Sequence, residues 1–271
     1  MPELPEVQTI VNELAENLPG STISSCRILR ESIVQGDQTR FRRIVKNKLI
    51  QKIERRGKYI IFSLSSDFWI VVHLRMTGKF VLQPNSRQPQ KHDRVVFYLS
   101  NHQKLIYSDV RCFGTFDLTD DLQECRGLNQ LGPDPWSEEV TAARLKKELT
   151  NRKIPIKTAL LDQKIIAGLG NIYASEILFD AGVNPIIAAN SLSERKLSVI
   201  IRSMRKILNL ALQYNGTSIS DYRRVDDKQG TFQNFLKVYG KADQKCLNCS
   251  SQIVKITQNQ RSTFLCPTCQ K

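Results

Sequence analysis

Leu131-Gly132-Pro133-Asp134-Pro135 is the stretch at which the spacing of apolar residues changes along this chain. Two prolines and a glycine within five positions break both a helical ladder and a central strand. Before it, from about Ile23 to Leu118, apolar residues come in short runs: Tyr59-Ile60-Ile61-Phe62, Trp69-Ile70-Val71-Val72, Lys79-Phe80-Val81-Leu82, Val95-Val96-Phe97-Tyr98 and Leu105-Ile106-Tyr107. Turn residues at Ser65-Ser66-Asp67 and from Gln83 to Gln90 part them, which predicts an antiparallel sandwich or barrel. After it the period lengthens. Helices are predicted over about 138–150, 157–163, 172–181 and 193–214, the last carrying Leu197, Ile200, Ile201, Met204, Ile207, Leu208 and Leu212. At the other end Val7, Ile10, Val11, Leu14 and Leu18 recur at helical spacing until Pro19-Gly20 stops them, so one helix leads the strands. From Asn215 to Gly230 the chain is polar and aperiodic, and a mobile loop is predicted there.

With 271 residues the chain has room for two domains and a small appendage. An α+β multidomain protein follows, divided at 1–132, 133–236 and 237–271. Forty Lys and Arg against 26 Asp and Glu leave a formal charge of +14, which favours polyanionic partners and nucleic acid first. No stretch approaches the roughly 20 apolar residues of a spanning helix, so no membrane partner is expected. The first residues, Met-Pro-Glu-Leu-Pro-Glu, lack the basic and apolar regions of a secretory signal, which predicts a cytoplasmic protein with reduced cysteines.

Four of the seven cysteines form Cys246-x2-Cys249 and, 16 residues on, Cys266-x2-Cys269. Each Cys-x2-Cys turn puts two thiolates on one side of a knuckle, and two knuckles complete a tetrahedral zinc site. Ile253-Val254-Lys255-Ile256 and Ser262-Thr263-Phe264-Leu265 flank a polar turn at Asn259-Gln260, so the metal should pin a β-hairpin. Four thiolates leave no open position, so one structural Zn2+ is expected. Cys26, Cys112 and Cys125 are scattered and read as small apolar core residues.

Pro2 follows the initiator methionine. Once Met1 is removed, Pro2 carries the free α-amine, a group whose reference pKa is about 7.7–8.0 against about 10.4 for lysine, and so has a larger neutral, nucleophilic fraction; in proline that amine is secondary. Condensed with an aldehydic carbon it gives an iminium with no N–H to lose, a good electron sink. The helix N-terminus lowers this pKa while Glu3 and Glu6 raise it, and the sequence leaves the balance open. Most chains beginning Met-Pro-Glu use none of this, so the wider context decides.

That context is Pro2-Glu3-Leu4-Pro5-Glu6-Val7, Arg55-Arg56-Gly57-Lys58-Tyr59, His73-Leu74-Arg75-Met76-Thr77-Gly78, Lys91-His92-Asp93, Asp109-Val110-Arg111-Cys112-Phe113-Gly114 and Gly168-Leu169-Gly170-Asn171-Ile172-Tyr173-Ala174-Ser175-Glu176. Together these resemble the formamidopyrimidine-DNA glycosylase family from residue 2 to the last cysteine. The resemblance implies an N-terminal β-sandwich with a leading helix, a helix–two-turn–helix domain and a C-terminal four-cysteine zinc finger. It also implies a monomeric bacterial repair enzyme, nucleoid-associated through double-stranded DNA, that acts on oxidised bases and abasic sites. Such an enzyme excises oxidised purines and then cuts the strand by β,δ-elimination.

By the same resemblance Pro2 is the nucleophile, Glu3 the acid for sugar-ring opening, Lys58 the proton donor in β-elimination and Arg261 the finger arginine of δ-elimination. Without it, Arg261 reads as a solvated arginine. Met76, Arg111 and Phe113 match a triad that fills the void left by an extruded base, although Met76 and Phe113 alone would be assigned to the core. His92, Arg152, Lys157, Asn171 and Tyr239, with Arg261, match DNA-backbone contacts. Asn171 follows Gly168 and Gly170 before an apolar helix, so capping competes there.

Three positions depart from the family's pattern: Gln8 where Glu is frequent, Cys112 where Arg is usual, and Asn215-Gly216-Thr217-Ser218 where Gly-Gly is common. Two alternatives stay open. An endonuclease VIII-type enzyme for oxidised pyrimidines would begin Pro-Glu-Gly-Pro-Glu, whereas Leu4 stands here. A non-catalytic zinc-dependent DNA-binding protein would leave Pro2 and Glu3 without a task.

Overall fold

The computed structural model describes residues 1–218, 225 and 229–271. The expected loop over Asn215 to Gly230 therefore lies partly outside the described residues. These residues fall into two compact units, one of Met1–Asn129 with Tyr214–Thr231, the other of Gln130–Gln213 with Phe232–Lys271.

The first unit opens with α1 (Leu4–Asn17), whose apolar residues Leu4, Val7, Ile10, Val11 and Leu14 are buried. Its eight strands, all paired antiparallel, are β1 (Thr22–Ile28), β2 (Lys48–Arg56), β3 (Tyr59–Leu64), β4 (Phe68–His73), β5 (Lys79–Pro84), β6 (Asp93–Leu99), β7 (Gln103–Ser108) and β8 (Thr115–Thr119). Their order is β5-β7-β6-β1-β2-β3-β4-β8, and β1 meets β2 only at Thr22 and Ile23. That short join lets two four-stranded halves enclose one core. Rings from the two halves meet edge-on or tilted, Phe62 to Phe80 at 5.6 Å, Phe97 to Phe116 at 6.2 Å and Tyr107 to Phe116 at 4.8 Å. Geometry of this kind adds about 0.5–1.5 kcal/mol per pair to the area buried. A short helix not foreseen from spacing, α2 (Gln38–Val45), begins where the Asp37 carboxylate accepts from the amides of Thr39 and Arg40. Another, α3 (Arg126–Asn129), closes the unit.

The second unit carries α4 (Ala142–Leu149), α5 (Ile156–Leu160), α6 (Asn171–Asp180) and α7 (Glu194–Gln213), followed by the hairpin of β9 (Val254–Gln258) and β10 (Arg261–Leu265). The breaker-rich segment is clamped onto α7 by Arg205, which donates to the carbonyls of Pro135, Ser137 and Val140 at 3.0, 3.2 and 3.4 Å. Gly170, not Asn171, takes the N-cap position of α6. The hairpin turns at Asn259 and Gln260, both at positive φ. It shares its core with α6, since Phe179 packs with Val238, Ile253 and Phe264. Among the described residues no helix is long and apolar enough to cross a membrane.

Candidate functional site

In the first unit Pro2 and Glu3 are buried at the start of α1, with Pro2 one residue before the Glu3 N-cap. The Glu6 carboxylate reaches back to the Glu3 amide at 2.8 Å with one oxygen and accepts from the Thr217 amide at 2.7 Å with the other. Glu6 thus ties the first turn of the helix to the segment after α7. Lys58 is buried in the two-residue turn between β2 and β3, where Gly57 takes φ +58°, the left-handed conformation that glycine adopts without strain. Arg55 fastens this turn by donating to the Gly57 carbonyl at 3.0 Å and to Gln8 of α1 at 2.7 Å. Gln8 thus keeps an acceptor for Arg55, because an amide oxygen accepts where a carboxylate would.

Two loops of this unit project side chains that ordinary patterning would bury. Met76, between β4 and β5, is 39% exposed, and Phe113, between β7 and β8, is 52% exposed. Arg111 lies over the Phe113 ring at 4.6 Å, in cation–π range. His73, at the end of β4, is buried and accepts from the Arg75 amide through Nδ1 at 2.9 Å. Burial, helped by the charges of Arg75 and Lys58, pushes its pKa down to about 3, so the ring stays neutral and keeps that acceptor. His92 is half-buried, with Arg94 3.3 Å from its Nδ1.

In the second unit Lys157 is 1% exposed and gives its ammonium protons to Asn171 Oδ1 at 2.7 Å, the Ser262 carbonyl at 3.0 Å and Thr263 Oγ1 at 2.7 Å. Asn171 also donates to the Ser262 carbonyl at 2.9 Å, so its side chain braces the hairpin and does not cap α6. Lys157, Thr158, Asp162, Asn259 and Arg261 line a cavity of about 260 Å³, with Arg261 exposed at the start of β10. Arg152 is held in an ion pair with Asp162 at 2.8 Å. Tyr239 is half-buried against the edge of Phe264, and its amide donates to Glu176 at 2.8 Å. The Glu176 carboxylate also accepts from the amides of Lys237 and Val238, both at 2.9 Å. Burial raises its pKa against the lowering effect of those three amides. Sequence reading missed Glu6, His73 and Glu176 as anchors. Nothing in spacing marks a charged residue as buried until its partners are known.

The sulfurs of Cys246, Cys249, Cys266 and Cys269 lie within 4.8 Å of one another. Cys246 faces Cys269 at 3.8 Å and Cys249 faces Cys266 at 3.4 Å, too far for disulfides. Tetrahedral zinc–sulfur bonds of about 2.3 Å place sulfurs about 3.8 Å apart, so the donor set fits one zinc ion. The remaining cysteines are free thiols, and Cys26 is buried.

An exposed apolar and cationic cluster on one unit, and on the other a four-thiol centre together with a cavity lined by Lys157, Asp162 and Arg261, are the features of a metal-pinned protein with cationic surface for a polyanion. Residues 1–116 match the model of the formamidopyrimidine-DNA glycosylase N-terminal domain, residues 131–223 the H2TH domain of the same glycosylase, and residues 243–271 a zinc finger found in FPG and IleRS. Formamidopyrimidine-DNA glycosylases from Rickettsia conorii and Carboxydothermus hydrogenoformans are 41% and 42% identical, covering all of this chain and 99% and 100% of theirs. Among solved structures, a Lactococcus lactis FPG mutant with DNA containing Fapy-dG has a TM-score of 0.94 at 36% identity, over 100% of both chains. The Lactococcus lactis Fpg complexed with DNA containing an abasic site gives 0.93 at 36%, over 99% of both. The chain belongs to the formamidopyrimidine-DNA glycosylase family, and its cysteine cluster is that family's zinc site.

Proposed function

We propose that this chain is a bifunctional DNA glycosylase and abasic-site lyase of base excision repair that removes oxidised purines, 8-oxoguanine and formamidopyrimidines, from double-stranded DNA. It acts as a monomer in the bacterial cytoplasm, associated with the nucleoid through DNA. Residues 1–132 form the catalytic domain, 133–236 the helix–two-turn–helix domain and 237–271 the finger.

Freed of Met1, the Pro2 nitrogen donates its lone pair to C1′ of the lesion nucleotide, the glycosidic bond breaks with its electrons leaving on the base, and the proton shed by the nitrogen ends on that base. Glu3 protonates the sugar ring oxygen as the ring opens to an iminium. The cationic iminium acidifies the C2′ hydrogens, so the 3′ phosphate leaves in β-elimination, with Lys58 serving in proton transfer. Loss of the 5′ phosphate follows, assisted by Arg261. No step needs the zinc, which when bound holds the hairpin that carries Arg261. Met76, Arg111 and Phe113 occupy the gap left by the extruded nucleotide, offsetting an unstacking cost of a few kcal/mol. Backbone phosphates are held by His92, Arg152, Tyr239 and Arg261, whereas the enclosed Lys157 ammonium and the Asn171 side chain, which the resemblance also assigns to phosphates, are spent on bracing the hairpin that carries Arg261.

The observation that carries this reading is the burial of Pro2 at the mouth of α1, in a unit that also buries Glu3 and Lys58. The likeness to Lactococcus lactis structures that hold lesion DNA supports it. Borohydride trapping on a duplex with 8-oxoguanine opposite cytosine tests it. A covalent adduct is expected, largely lost in Pro2→Gly and absent when Met1 is retained. An adduct formed equally well with Met1 in place would overturn the assignment of the nucleophile, and faster trapping on an oxidised pyrimidine would favour the endonuclease VIII-type alternative.

A further inference from the structure

Asp109 is wholly buried just beyond the end of β7, and four donors converge on its two carboxylate oxygens. Oδ1 accepts from the Thr77 hydroxyl and, at 3.1 Å, from the Arg111 amide. Oδ2 accepts from the Gly114 amide at 2.9 Å and the Tyr107 hydroxyl at 3.3 Å. A carboxylate has about four lone-pair sites, so its acceptor capacity is filled. Thr77 Oγ1 also accepts from the Arg111 amide at 3.1 Å, which joins the loop of Met76 directly to the loop of Arg111 and Phe113.

The surroundings leave this carboxylate little freedom. The Asp109 amide donates to the His92 carbonyl at 2.9 Å, and Arg94 Nε donates to the Asp109 carbonyl at 2.8 Å. A Cβ on either Gly78 or Gly114 would overlap the Tyr107 hydroxyl, so both loops close on that ring only because each has glycine there. Burial and the Asp109 charge push the phenol pKa of Tyr107 up, so it remains a donor.

Side chains as exposed as Met76 and Phe113 have only a partial packed shell, so their placement depends on the backbone beneath. We propose that Asp109 is a positioning residue for base extrusion: one carboxylate locks the two loops into a single rigid unit, so that Met76, Arg111 and Phe113 enter the duplex in register. The proposal rests on the reading of those three as void-filling residues.

Asp109→Asn keeps the volume but has one acceptor oxygen, and its amide N–H groups would face the Gly114 amide or the Tyr107 hydroxyl. Thr77→Val removes one leg of the same bracket and serves where Asp109→Asn folds poorly. Each variant is compared with the intact full chain on two substrates: a duplex with 8-oxoguanine, and single-stranded DNA with an abasic site, where no base is orphaned. Single-turnover excision from the duplex should fall about tenfold or more, while trapping on the single strand falls by less than about threefold. A 2-aminopurine beside an abasic-site analogue in the duplex should lose most of its fluorescence rise on binding, which a merely structural defect would not select. Equal losses on both substrates, or no loss on either, would overturn the proposal. If the unaltered protein itself forms no adduct, the proline reading fails instead, and the 2-aminopurine signal still decides the role of Asp109.

Discussion

His73 makes a quantitative prediction about acid stability. The ring is buried, it meets Tyr59 edge-on at 4.7 Å, and its Nδ1 must stay unprotonated to accept from Arg75, whose backbone sits at φ +53°. In the unfolded chain its pKa returns to about 6.5, whereas in the fold burial holds it down at about 3. The folded value is the lower one, so the contribution is complete above about pH 6.5 and is lost as pH falls toward about 3, at about 1.4 kcal/mol per pH unit. Between about pH 7.5 and about pH 5 the loss integrates to about 2 kcal/mol. In His73→Asn the amide oxygen can replace Nδ1 and nothing titrates. The stability advantage of the unaltered protein over this variant should therefore shrink by about 2 kcal/mol across that interval, or about 1 M in urea midpoint at a slope of about 2 kcal/mol per M. The two tryptophans, Trp69 and Trp136, fall one in each unit, so urea melts in a Trp136→Phe background follow the first unit through Trp69. Parallel midpoints for the two proteins from neutral to acid pH would refute the reasoning.

Other consequences can be measured separately. Gln8→Glu, by converting the hydrogen bond to Arg55 into a charged one, should stabilise the first unit by up to about 1 kcal/mol in urea melts, less at high salt. Metal analysis should give about one zinc per chain, and chelation should release the hairpin, read as lost near-ultraviolet dichroism from Tyr239 and Phe264. Glu176→Gln leaves one oxygen for three backbone amides and should cost about 1–3 kcal/mol in the second unit, with weaker DNA binding from a displaced Tyr239. Arg261→Ala should lower the slope of log affinity against log salt by about one for any duplex, lesion or not, and an unchanged slope would mean that Arg261 meets no phosphate.

Much of the architecture was legible because it rests on periodicity and spacing. The leading helix and the five apolar strands lie where their patterns put them, and the four later helices match to within a few residues. Several of the elements that escaped are short of buried apolar residues or carry an irregularity that hides the period. β2 runs Lys48–Arg56 with only Ile50 and Ile53 buried, three apart, because a register shift between Ile50 and Lys52 interrupts the alternation. β1 carries a shift between Ile23 and Ser25 and buries only Ile23 and Cys26. α2 buries just Phe41 and Val45, too few for an apolar stripe, although Asp37 ahead of it was a readable cap.

What the linear sequence determined by itself is the chemistry that depends on neighbours along the chain: two cysteine knuckles for one zinc, a proline beside two glutamates, a strand-to-helix change at Leu131-Gly132-Pro133, and a net positive charge. Only the tertiary structure decided which charged groups are buried and which apolar ones are not. Lys157 and Asp109, ordinary polar residues by composition, are enclosed because partners saturate them, for Lys157 the distant Asn171, Ser262 and Thr263, for Asp109 the distant Thr77 and the nearer Tyr107, Arg111 and Gly114, whereas Met76 and Phe113 are exposed on their loops. The physical reason is that burying a charge is tolerable only when most of its hydrogen-bonding sites find partners, and whether they do depends on the folded arrangement, even where a partner is near in sequence.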